Sequence, residues 1–119
     1  MKIVTKEIRR KLLENGRAQA SSRLGHIDFK PVVRLFDPCS AAVWLLTEIT
    51  TDNPDVAFGL CDFGFGCPEL GRVSLSELEA FRGRFGLGLE RDMYWEAGMT
   101  LSEYHELARN AGRIVETLE

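Results

Sequence analysis

The chain has 119 residues, 45% hydrophobic and 28% charged, with a net charge of −3. That suits one globular domain and is too short for two ordinary ones. The longest apolar run, Ala41–Leu46, is too short to span a membrane, and three cysteines, an odd number, argue for free thiols in a reducing cytoplasm.

The opening stretch "MKIVTKEIRRKLLENG" has no apolar core followed by a small-residue cleavage site, so it reads as a helix and not as a signal peptide. Val4, Ile8 and Leu12 recur every four residues, with Leu13 beside them, which makes one apolar stripe. Thr5 can cap the start, and Asn15-Gly16 is the expected stop. Residues 17–31, "RAQASSRLGHIDFKP", then read as a long polar loop. Charge is uneven here. Residues 1–34 hold nine of the 15 Lys+Arg and only three acids, whereas the remainder holds six Arg and 15 acids. The plain expectation is internal neutralisation of a basic helix by an acidic body, because overall acidity weakens any pull on phosphate. The sharper one is a binding face for nucleic acid or an acidic protein, made by Lys6, Arg9, Arg10, Arg17, Arg23 and Lys30.

After Pro31 the period changes. "VVRLFD" (Val32–Asp37), "AVWLLTEI" (Ala42–Ile49) and "VAFGLCDF" (Val56–Phe63) are β-rich runs separated by the turn-forming "DPCS" and "TTDNPD". "GRVSL" (Gly71–Leu75) is a fourth run. Connections this short exclude helical crossovers and predict an antiparallel meander. Overlapping capping boxes, Ser74-x-x-Glu77 and Ser76-x-x-Glu79, predict a short helix near Ser76–Arg82. "LERDMYW" (Leu89–Trp95) reads as a fifth strand. Thr100-x-x-Glu103 caps a last helix with the stripe Tyr104, Leu107, Ala108 and Ala111, and Gly112 ends it. "RIVETL" is expected to add an edge strand or to fray. The fold class is α+β: an antiparallel sheet of four to five strands, with an N-terminal, a short middle and a C-terminal helix packed mainly on one face.

"WLLTE", "FGLCDFGFGCPELGRVSLSELE" and "ERD" resemble the bacterial family catalogued as domain of unknown function 2958, over nearly the whole chain. The long central block is the distinctive piece. The resemblance implies a small protein encoded on plasmids and other mobile elements. It implies no activity and no catalytic residue.

The same central block raises the question of chemistry. Cys61 and Cys67 stand six apart with no second pair, since the only other cysteine is Cys39, so a zinc site is not expected and Cys61 reads as a small buried hydrophobe. "GFGCPELG" lacks the lysine and hydroxyl of a P-loop, and "DFG" has no catalytic-loop partner in so short a chain. With His26 and His105 as the only histidines, a cysteine–histidine pair is unspecific. Strand alternation gives the better candidate. Val33-Leu35-Asp37, Trp44-Leu46-Glu48 and Phe58-Leu60-Asp62 each end an apolar row in an acid. Asp37 and Asp62 are then expected at one sheet end, roughly 10 Å apart, with Glu69 close by and Glu48 at the other end. The plainer reading is that such acids cap turns, Asp62 or Glu69 accepting backbone N–H bonds while Gly64 and Gly66 supply positive φ. The sequence therefore favours a cytoplasmic, non-catalytic binder of protein or nucleic acid with no cofactor or metal. The alternative is a small metal-dependent hydrolase or nuclease built on Asp37, Asp62 and Glu69.

Overall fold

The computed structural model describes residues 3–116. Helix α1 (Lys6–Ser21) leads into strands β1 (Val33–Phe36), β2 (Val43–Ile49), β3 (Val56–Asp62) and β4 (Glu69–Ser74). Helix α2 (Leu75–Ala80), a single 3-10 turn (Arg84–Gly86), β5 (Glu90–Arg91) and helix α3 (Leu101–Ala111) complete the chain. The strands form one antiparallel sheet in the order β4-β3-β2-β1-β5. The first four are the expected meander. The fifth is only two residues long, not the seven expected, and it adds beside β1, where Leu35 faces Arg91 and Phe36 faces Glu90. Val115 and Glu116 are not in a strand, and the end of "RIVETL" lies outside the described residues.

Both faces of the central strands are apolar, so each face needs a cover. Trp44, Leu46, Ile49, Val33, Leu35, Ala57 and Cys61 point to one side, under α1 and α2 through Leu12, Leu75 and Leu78. Leu45 and Leu60 point to the other side and pack on Leu101, Tyr104 and Ala108 of α3. Two of the three helices thus share a face and the third closes the opposite one. The near-continuous burial of β2 follows from this double cover, the pattern expected when neither face meets water.

Local signals set the helix starts. Thr5 Oγ1 accepts the N–H of Ile8 at 3.1 Å, and Ser74 Oγ accepts that of Glu77 at 3.2 Å. Thr100 and Glu103 form the reciprocal capping box, and Gly112 ends α3 in the left-handed conformation. Caps of this kind are worth about 1 kcal/mol each.

The expected stop of α1 at Asn15-Gly16 is overturned, and the expected 17–31 loop begins five residues late. The helix continues to Ser21, so Arg17 is helical. Gly16 faces the sheet: a Cβ there would lie 1.8 Å from the carbonyl oxygen of Ile49. Asn15 donates through Nδ2 to the Thr47 carbonyl at 2.9 Å. The pair that looks like a terminator in sequence is the point of closest approach between α1 and β2.

A second correction concerns strand parity. A bulge between Leu46 and Glu48 leaves Thr47 unpaired, so Glu48 pairs with Phe58 and leaves the Trp44–Leu46 row. Thr47 and Gln19 both donate to Glu48 Oε1, at 3.2 Å each. Gln19 also clamps Ile27 through both its backbone groups, at 2.8 and 3.0 Å, which holds the residues after α1 against the sheet.

Candidate interaction surface and the acidic sheet end

Asp37 and Asp62 do lie at one end of the sheet, because Asp37 N donates to Ala42 O and Asp62 pairs with Val43. They belong to opposite faces, however. Asp37 continues the row of Val33 and Leu35, whereas Asp62 continues that of Leu60. Asp37 accepts from Cys39 N at 2.9 Å and from the Ser40 hydroxyl at 2.9 Å, forming a closed turn. Asp62, only 2% exposed, accepts from Gly64 N at 2.8 Å and Ile114 N at 3.0 Å. It thereby ties the β3–β4 turn to the segment after α3. Glu69 is exposed on the edge strand β4, opposite Cys61, and makes no such bond. Among the described residues no three His, Cys, Asp or Glu side chains are grouped to hold a metal ion.

The "CDFGFGCPELG" block resolves into turn chemistry. Gly64 and Gly66 have φ of 84° and 86°, a region where a side chain would be strained, and Pro68 is buried as β4 begins. Burial pushes the Cys61 thiol up to about 11, so it is a poor nucleophile. Cys39 is half-buried and Cys67 exposed, and all three thiols are free. His26 sits on the surface, edge-on to Phe58 with ring centroids 6.2 Å apart.

The six basic residues singled out in sequence are all exposed. At about 100° per residue, Lys6, Arg10 and Arg17 fall within about 40° of one another on α1, about 120° round the helix from the buried Leu12 and Gly16. Their alignment depends on the helix running past Gly16. Arg10 pairs with Glu14 at 2.7 Å inside the helix, and Arg9 donates to Pro54 O at 3.0 Å. Among the described residues Lys6, Arg17, Arg23 and Lys30 have no ion-pair partner. Among the described residues Arg34, inside the sheet, bridges to the acidic remainder through Asp92 at 3.5 Å and Glu116 at 3.0 Å, and Arg9 is close enough to Asp55 to help lower its carboxyl. Lys11 and Lys30 both line an open groove of about 440 Å³ beside α1, with Glu14 and Glu96 as its acids.

A family model described as "Protein of unknown function (DUF2958)" matches residues 3–115. The chain belongs to the DUF2958 family. Neither curated proteins nor solved structures give a match.

One surface of this DUF2958 chain escaped the sequence reading. The run Phe81-Arg82-Gly83-Arg84-Phe85-Gly86-Leu87 interleaves aromatic, basic and glycine residues. Phe81 and Arg82 fall within the helix expected near Ser76–Arg82, but α2 ends at Ala80 and leaves both in the loop. The signal available in sequence was the alternation of Phe and Arg without an apolar period.

Proposed function

We propose that this chain is a non-catalytic binding module whose basic segment engages nucleic acid. The observation that carries the reading is the set of exposed cations on α1 and the following loop, four of them without an ion pair. Self-compensating surfaces hold such charges against carboxylates; unpaired and aligned ones favour an external polyanion. The resemblance to proteins of bacterial mobile elements supports an accessory role there. The three free thiols support a reducing, cytoplasmic setting. The hydrolase alternative on Asp37, Asp62 and Glu69 draws no support from the geometry, since the two aspartates serve backbone N–H groups on opposite faces.

Fluorescence anisotropy with labelled duplex DNA over a salt series tests the proposal. Binding should weaken steeply with salt, and the double change Lys6→Ala, Arg17→Ala should flatten the log–log slope by about two. No binding to DNA or RNA at low salt overturns it.

A further inference from the structure

The loop after α2 holds a phenylalanine where neither folding nor packing wants one. Phe85 is the only non-glycine residue with positive φ among those described, at φ 61° and ψ 17°. An L-residue in that region costs about 1–2 kcal/mol. The ring is 85% exposed, so burial does not repay that strain. The loop is nevertheless ordered by its own backbone. Gly83 N donates to Leu87 O at 2.8 Å, Gly86 N to Gly83 O at 3.1 Å, and Leu87 N to Arg84 O at 3.4 Å. These bonds close the loop on itself and hold the Phe85 ring outward.

Arg82 and Arg84 precede Phe85 in the same loop, both exposed. Arg82 is fixed, donating to Phe81 O at 2.7 Å and Glu79 O at 3.1 Å. Arg82, Gly86 and Leu87 line a groove of about 290 Å³. It shares Ile3 and Glu79 with a larger groove of about 640 Å³ lined by Lys6 and Arg9 at the start of α1. One path thus joins the loop to the basic helix. Two acids along it are engaged within the chain: Glu79 accepts from Ile3 N at 3.1 Å, and Asp55 from Ser76 N at 2.9 Å. Glu90, at the far end, is exposed.

We infer that the Phe81–Leu87 loop is a contact for single-stranded nucleic acid, with a base stacked on Phe85 and phosphates held by Arg82 and Arg84. A rigidly displayed aromatic ring in a loop that also carries two exposed arginines has the chemistry of a stacking platform in a cationic setting. Such a platform serves unpaired bases, because a duplex buries their faces. Charge complementarity selects a nucleic acid over a neutral apolar partner. The inference rests on the nucleic-acid reading proposed above and adds strand selectivity to it.

The test compares a labelled 16-nucleotide oligothymidine with a duplex of the same length, using the full chain. The single strand should bind more tightly. Phe85→Ala should weaken single-strand binding by about five- to 150-fold, the range given by 1–3 kcal/mol per stacked base. Duplex binding should be unchanged. Phe85→Tyr should restore single-strand binding. Arg82→Ala with Arg84→Ala should flatten the single-strand salt slope by about 1.4. Phe85→Gly should raise the melting temperature by removing strain, which shows that the fold does not need the ring. If Phe85→Ala leaves single-strand affinity intact, the loop inference fails. If duplex binding persists and responds to Lys6 and Arg17, the α1 reading survives that failure. If Phe85 controls binding and Lys6 and Arg17 do not, the loop stands and α1 falls. Absence of binding to either probe overturns both.

Discussion

Gly16→Ala is the sharpest test of how α1 is seated. On an open helix this change gains about 1 kcal/mol, because alanine is the best helix former and glycine is poor. Here the new Cβ would lie 1.8 Å from Ile49 O and 3.0 Å from the Ile49 carbonyl carbon. A carbon and a carbonyl oxygen in contact rest at about 3.3 Å, so the helix must lift by about 1.5 Å from the 1.8 Å position. The obstacle is the backbone of β2 at Ile49, paired to Ala57 of β3, so it cannot yield without disturbing the sheet. Lifting α1 also loosens Leu12 and stretches the 2.9 Å bond from Asn15 to Thr47 O. Overpacking of this kind costs about 3 kcal/mol, and the helix gain offsets about 1, leaving a net loss of about 2 kcal/mol. For a chain of 119 residues that lowers the melting temperature by about 8 °C. Urea and thermal unfolding followed by circular dichroism would measure it. An alanine variant as stable as the parent, or more stable, refutes the close approach of α1 to Ile49.

Three further outcomes are expected. Asp62→Asn should lose about 1–3 kcal/mol in urea unfolding, because its amide NH₂ must face one of the two backbone N–H groups the carboxylate now accepts; equal stability would sever the link between the turn and Ile114. Burial raises the Asp28 carboxyl, but hydrogen bonds from Ser102 outweigh it and hold the group below its ordinary value of 3.8. A lowered folded pKa stabilises the fold above pH 3.8, and that contribution is lost as pH falls through the lowered value; Ser102→Ala should blunt this acid limb, and an unchanged slope would count against it. With a thiol reagent at pH 8, Cys67 should react fastest and Cys61 only on unfolding, since its thiol stands at about 11; early labelling of Cys61 by mass spectrometry would contradict its burial.

Local signals were legible wherever the physics is local. The capping sets at Thr5, Ser74 and Thr100 depend on a hydroxyl within three residues of a free N–H, and all three hold. The β-rich runs and short connections required antiparallel neighbours, and Gly64 and Gly66 were readable because only glycine takes positive φ without strain. Exposure of the basic side chains on α1 also followed from the position of the stripe. What sequence left open depended on distant chain. Gly16 looks like a helix stop until Ile49 O is seen against it, since a close approach and a terminator use the same residue. The bulge at Thr47 inserts one unpaired residue, which no period-2 count can anticipate, and it moves Glu48 out of its row. Asp37 and Asp62 share a sheet end but not a face, because pairing register decides the side and alternation within one strand does not. Phe85 took its meaning only from its dihedral angles and its 85% exposure, which go with the Gly83–Leu87 closure. Tertiary structure decides such matters because a side chain's role depends on what the fold places beside it.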